Sequence, residues 1–308
     1  MRTLSTEQRN SRTGNLDQKS SLEILRALNR EDSTVAQAVR SELPQIARAV
    51  DVIVLSLAHG GRLFYVGAGT SGRLAALDAA ECPPTFGVSP KTVQAIIAGG
   101  DRALRHAAEE AEDSAPHGAR DLKRAGVSRH DVAVGLSASG ATPYVLGALR
   151  AARRCGAFTI GVTSISNSPL AQKSRIAIVP ETGPEAISGS TRLKAGTAQK
   201  MVLNMLSTAS MVRLGRTYGN WMVHVAMTNR KLRLRAARIL EEIAGVTSSV
   251  AARTLRQASH NLPVAIVMLK TGASAGQAKR FLEKSGGNVR RALESAKSSR
   301  KPGSGRGK

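Results

Sequence analysis

From Leu22 to about Ala58 apolar positions recur every three to four residues, and then the period changes. Leu22, Leu25 and Leu28 follow Ser20-Ser21-Leu22-Glu23, a capping-box sequence that predicts a helix start. Asp32 to Thr34 caps a second helix. A third is predicted from Leu43 to about Ala58 by the stripe Leu43, Ile46, Val50, Ile53 and Leu57. Beyond Arg62, short apolar runs alternate with amphipathic segments. The runs Leu63–Val66, Thr92–Ala98, Asp131–Leu136, Phe158–Val162 and Arg175–Val179 read as strands. Helices are predicted between them at Gly72–Ala79, Ala103–Asp113, Ala119–Ala125 and Pro143–Cys155. This alternation specifies an α/β fold with a doubly wound parallel sheet, whose ligands bind at the carboxyl ends of the strands. From Trp221 onward the pattern is helical without strands, with a second capping box at Ser274-Ala275-Gly276-Gln277 and a short last helix at Val289 to Leu293.

Three turns carry the candidate chemistry. Gly67-Ala68-Gly69-Thr70-Ser71-Gly72 follows the first strand and opens a helix, so its main-chain N–H groups and the hydroxyls of Thr70 and Ser71 form an anion cradle. The turn also fits the dinucleotide pattern G-x-G-x-x-G. The acidic residue expected about 20 residues on is missing, however, since Asp78 and Glu81 come too early. Ser137-Ala138-Ser139-Gly140-Ala141-Thr142-Pro143 follows the third strand. One hydroxyl would suffice as a helix cap, so Ser137, Ser139 and Thr142 together favour a phosphate. In the third turn Thr191 is read as the cap of a long helix. Arg192 and Lys194 would then oppose the helix dipole in its first turn, which favours an anionic ligand there. Two carboxylates stand near these turns: Glu81, ahead of Pro83-Pro84, and Glu112, in the acidic run from Glu109 to Asp113.

Composition narrows the class. The chain of 308 residues holds 45 Lys and Arg against 22 Asp and Glu, for a net charge of +23. The cations are spread widely and aromatics make up 3%, which argues against nucleic-acid binding as the primary role. Denser patches occur at Arg230, Lys231, Arg233, Arg235 and Arg238 and in the tail after Lys297. No apolar run is long enough to span a bilayer, and the N-terminal stretch lacks the apolar core of a signal peptide. Cys82 and Cys155 have no metal-ligand spacing and are read as reduced thiols of a cytoplasmic protein. The expected organisation is a helical arm over residues 1–58, a sugar-phosphate-binding domain over 59–220, a helical module over 221–296, and a basic disordered tail over 297–308.

The segments GAGTSGRL (67–74), LDAAECPPTFG (77–87), AEDS (111–114), SASGATPYV (137–145), SGSTRLKAGTAQKMVLNMLST (188–208) and TNRKL (228–232), with Thr6-Glu7, Asn10 and Thr13, together resemble the N-acetylmuramic acid 6-phosphate etherases. These are built on the sugar isomerase (SIS) fold. Leu193, Trp221 and His224 depart from that family's pattern. The resemblance implies cleavage of the C3 ether to N-acetylglucosamine 6-phosphate and D-lactate, with no metal or cofactor, in a homodimer. It implies Glu81 as general acid and Glu112 as general base. Ser137, Ser139 and Thr142 would hold the phosphate, and Thr70 and Ser71 sugar hydroxyls or phosphate. Thr191, Arg192 and Lys194 are assigned by charge to substrate oxygens or the lactyl carboxylate. The alternatives are a sugar-phosphate-binding regulator without turnover, like glucokinase regulatory protein, and a sugar-phosphate isomerase. Against the isomerase, Pro143-Tyr144 follows Thr142 where such enzymes commonly carry an acid.

Overall fold

A computed structural model describes residues 5–225, 227 and 230–299. Thr228 and Asn229 of the TNRKL stretch and residues 300–308 of the basic tail lie outside the described residues. The chain folds as two compact units, Met1–Glu81 with Ser89–Ser210, and Cys82–Val88 with Met211–Lys308.

The first unit begins with three short 3-10 turns and helices α1 (Ser21–Asp32), α2 (Val35–Ser41) and α3 (Leu43–Ala58). Glu23 accepts from the Ser20 N–H at 2.9 Å, as the capping-box sequence predicts. Then follow β1 (Leu63–Gly67), α4 (Gly69–Phe86), β2 (Val93–Ile97), α5 (Ala115–Arg124), β3 (Val132–Leu136), α6 (Pro143–Arg154), β4 (Phe158–Val162), α7 (Pro169–Lys173), β5 (Ile176–Ile178) and α8 (Lys194–Arg213). The five strands are parallel, in the order β2-β1-β3-β4-β5. The sheet is therefore doubly wound, with its switch point between β1 and β3.

Strand side chains alternate in direction, so Phe64 and Val66 enter one core layer and Tyr65 the other. Phe64 and Val66 pack with Leu122 of α5 and with Tyr144, Val145 and Leu149 of α6. On the opposite side Tyr65 donates its hydroxyl to buried Asp78 of α4 at 3.1 Å. Asp78 also accepts from Asn204 at 2.6 Å and Ser207 at 3.1 Å, both on α8. Burial pushes the Asp78 carboxyl above its ordinary range. This cluster ties α4 and α8 to β1.

Two expectations are corrected. The helix expected over Ala103–Asp113 is instead a pair of 3-10 turns, Gly100–Leu104 and Glu109–Asp113. Gly99 and Gly100 lead into the segment with φ of 83° and 65°, and the crowded acids of Glu109-Glu110-Ala111-Glu112-Asp113 repel at helical spacing. The helix expected to stop at Ala79 runs on to Phe86, with Glu81 inside it. Pro83 and Pro84 fall in its last turn, which the Gly87 N–H closes by donating to the Pro83 carbonyl at 2.9 Å.

The second unit is a small helical assembly: α9 (Arg230–Ala244), α10 (Ser248–Gln257), α11 (Leu262–Thr271), α12 (Ala275–Lys284) and α13 (Val289–Ser298). Ile239, Leu240, Leu255, Ile266 and Val289 are among its core residues. The expectation of helices alone from Trp221 is corrected by a two-stranded antiparallel ribbon, β6 (Thr217–Tyr218) with β7 (Trp221–Met222). Strands of two residues are too short to leave a period in the sequence. Ser274 caps α12 with its side chain, as expected, whereas α13 is longer than its apolar pattern suggested. No described helix is long and apolar enough to cross a membrane.

The starts of β1 and β3 are locked by one buried carboxylate. Asp131 accepts from the Arg62 N–H at 2.8 Å and from its guanidinium at 2.9 Å, and from Ser128 N–H and hydroxyl at 2.7 and 2.9 Å. Burial alone would raise its pKa, but these donors outweigh burial and hold it below the usual carboxylate range. Its contribution to stability is therefore complete above the ordinary pKa and is lost as pH falls through the lowered value. Asp131→Ala should cost about 3 kcal/mol in urea unfolding at neutral pH, and the difference from wild type should shrink in acid.

Candidate active site

The first two cradles meet at the switch point. A cavity of about 340 Å³ opens where β1 and β3 end, and Thr70, Ser71, Ser137, Ser139, Thr142 and Thr191 are in its wall. Local backbone requirements explain the glycines of these turns. A Cβ on Gly67 would lie 2.7 Å from the Gly72 nitrogen, so only glycine lets the strand end pass so close to the helix start. Gly140 has φ of 65°, and a Cβ there would run into Thr163 and Ser168.

The second turn is a cluster of hydroxyls. Ser137 Oγ lies 2.8 Å from Thr142 Oγ1 and 3.3 Å from Ser139 Oγ. The Gly140 N–H donates to Ser137 Oγ at 3.0 Å. Pro143 occupies the first turn of α6, and the Thr142 side chain makes no cap bond to that helix. Three hydroxyls beside an uncapped helix start suit a phosphate, since donors and helix dipole favour an anion without a full positive charge.

Glu112 is in the same wall. Its Oε1 lies so near Gly69 that a Cβ there would come within 3.1 Å. The acidic run thus contributes one carboxylate to the cavity, delivered by the second 3-10 turn rather than by a helix. Glu81 is exposed on α4 and is not part of this wall. Among the described residues no group of His, Cys, Asp and Glu is arranged to hold a metal ion.

Two residues assigned from charge are not brought into this wall. Arg192 is exposed and outside the wall. Lys194 is fully buried, and its Nζ donates to Glu31 of α1 at 2.9 Å. Glu31, itself buried, also accepts from Asn10 Nδ2 at 2.8 Å and Arg12 Nη2 at 2.9 Å. Burial would raise the Glu31 pKa, but these donors outweigh it and hold it below its ordinary value. The anion that answers Lys194 is thus a protein carboxylate 163 residues away. Nor does Thr191 directly cap α8. Glu185 does so, accepting the Lys194 and Ala195 N–H groups at 2.9 Å each.

This buried hub pins the N-terminal arm. Thr13 Oγ1 donates to the Ala186 carbonyl at 2.8 Å, and the Gly189 N–H to the Thr6 carbonyl at 3.2 Å. The arm thereby brings Glu7 into the cavity wall, with its carboxylate against Gly189. Glu7 and Arg73, the latter on the first turns of α4, are wall residues that the pattern of turns did not single out. Glu7 appeared there only within the Thr6-Glu7 match, and Arg73 only within GAGTSGRL.

A doubly wound sheet with a hydroxyl-lined cradle at its switch point defines a protein of the SIS class. Family models described as "SIS domain" and "Glucokinase regulatory protein N-terminal SIS domain" match residues 109–209 and 45–153. A solved phosphoheptose isomerase from Francisella tularensis overlaps 63% of this chain and 100% of that one, at 16% identity and TM-score 0.48. N-acetylmuramic acid 6-phosphate etherase 1 of Bacillus licheniformis is 49% identical over 94% of this chain and 95% of its own. N-acetylmuramic acid 6-phosphate etherase 2 of Vibrio cholerae is 52% identical over 94% and 95%. The chain belongs to the N-acetylmuramic acid 6-phosphate etherase family.

Replacing Glu31 by leucine would strand the buried Lys194 ammonium. Glu31→Leu should cost about 3–5 kcal/mol, measured by denaturant unfolding. The double replacement Glu31→Leu with Lys194→Met should be far milder than Glu31→Leu alone. Equal losses in the two would show that the ion pair is not what matters at this position.

Proposed function

We propose that this chain cleaves the C3 D-lactyl ether of N-acetylmuramic acid 6-phosphate, giving N-acetylglucosamine 6-phosphate and D-lactate. The observation that carries the reading is the placement of Glu112 in one cavity with the Ser137, Ser139 and Thr142 hydroxyls, in a chain of this family. The phosphate rests on the hydroxyl turn and the N-terminus of α6. With the sugar open, C1 is an aldehyde and the C2 proton is acidic. Glu112 takes that proton, the ether oxygen is protonated, and lactate leaves. Water then adds to C3 of the unsaturated aldehyde. Thr70, Ser71 and Thr191 contribute hydroxyls to the sugar side of the wall.

The acid is Glu81, and its exposure on α4 supports a homodimer in which it reaches the cavity of a second copy. Leu22 and Leu25 of α1 are 56% and 61% exposed, an apolar face that an interface between copies would cover. The reading places the enzyme in the cytoplasm, where cell-wall amino sugars are recycled.

Glu112→Gln should lose both solvent deuterium exchange at C2 and lactate release. Glu81→Gln should keep exchange and lose release. Each loss should be about 10²–10⁴-fold. Mixed Glu81→Gln and Glu112→Gln subunits should recover activity that neither variant shows alone, and a monomeric mass with full activity would sink the shared site. Ser139→Ala should chiefly weaken sugar-phosphate binding, by about 1.5–3 kcal/mol. Folded wild-type protein that releases no lactate would favour a binding regulator instead.

A further inference from the structure

The charges lining the cavity are few, and they conflict with the substrate. Glu7 and Glu112 are acids, and among the described residues Arg73 is the one cation in the wall. The substrate of the proposed reaction brings a phosphate at one end and a carboxylate on its C3 arm. The phosphate has a neutral cradle of hydroxyls and main-chain N–H groups. The carboxylate has no such provision, and beside Glu7 or Glu112 it would meet like charge. Lys194 is committed to Glu31, and Arg192 lies outside the wall.

Arg73 is held in a definite orientation. Its Nε donates to the Ala103 carbonyl at 3.0 Å, and its Nη2 donates to the His106 carbonyl at 3.0 Å. Both acceptors are neutral, so the guanidinium is positioned but its charge is not answered. Among the described residues it takes part in no ion pair. It also stands near the start of α4, where the helix dipole disfavours a cation. A planar fork anchored on one side and half-buried at a cavity wall is suited to a carboxylate on its other side.

We propose that Arg73 is the counter-ion of the lactyl carboxylate, and so the residue by which this site distinguishes the ether substrate from a sugar phosphate lacking that arm. The assignment rests on the function proposed above. It replaces Arg192 and Lys194 in the role that sequence charge gave them. It also sets the direction of the bound sugar, with the C3 arm toward the Ala103–His106 segment that holds the guanidinium.

Equilibrium binding of two ligands, measured in a Glu112→Gln background so that the first is not converted into the second, tests the proposal independently of turnover. N-acetylmuramic acid 6-phosphate carries the carboxylate, and N-acetylglucosamine 6-phosphate does not. Arg73→Met should weaken the first by about 10–100-fold, the range of one charge-assisted contact, and leave the second within about twofold. Arg73→Lys keeps the charge without the fork, and its loss should be smaller and again confined to the carboxylate ligand. A merely structural Arg73, pinning the Ala103–His106 segment, would weaken both ligands alike, and that result overturns the proposal. Should Arg73→Met fail to fold, the Arg73→Lys comparison separates the same two outcomes. A wild-type protein that binds both ligands but releases no lactate would sink the etherase reaction while leaving the Arg73 comparison readable.

Discussion

The cavity exists because β1 sends its chain to one side of the sheet and β3 sends its chain to the other. Neighbouring strands whose helices depart in opposite directions leave a crevice at their carboxyl ends that no side chain of the sheet fills. The starts of α4 and α6 both border that crevice, each after a glycine-bearing turn. Their unpaired N–H groups would be a liability in a closed core. Here they face a space into which an anion fits, and the hydroxyls of the second turn add donors to it. The anion-accepting crevice is thus a property of strand order, and the serines and threonines add hydroxyl donors to it.

Most of the fold was legible because it is written locally. The strand runs and the stripe of α3 repeat with periods that follow directly from strand and helix geometry, and the observed β4 and α3 coincide with those patterns. The hydroxyl turns were equally plain, since their spacing to a strand end is short. What was not legible depends on partners distant in sequence. Arg192 and Lys194 looked alike as cations near a helix start. Only the fold reveals that α1 carries a buried carboxylate to Lys194 and leaves Arg192 in solvent. Glu7 and Arg73 were hidden for the same reason, because one depends on where the arm is pinned and the other on where the Ala103–His106 carbonyls fall. The helix expected over Ala103–Asp113 failed because the acids at its end, crowded at helical spacing, oppose each other, a cost that an alanine-rich stretch disguises.

The buried hub around Glu31 is a different kind of constraint from the hydrophobic layers. Apolar packing tolerates repacking, whereas a desolvated carboxylate needs its donors in place. Asn10, Arg12 and Lys194 therefore fix the arm to the loop ahead of α8 with a definite register. That register decides whether Glu7 and Thr191 stand at the cavity or away from it.

This arrangement also sets an order of events during synthesis. Asn10 donates to the Pro184 carbonyl across 174 residues of chain, and Glu31 meets Lys194 across 163. Residues 6–13 are made long before residues 184–194. Until those emerge, the arm can meet Glu31 through Asn10 and Arg12 but not the loop ahead of α8, and Glu31 has no lysine to answer it. The strands from β1 to β5 can pair while the arm is still loose, since each lies beside a strand made shortly before or after it. Closing so long a loop is slow relative to that local pairing. The segment translated early is accordingly among the last to take its place, and the cavity is completed only when it does.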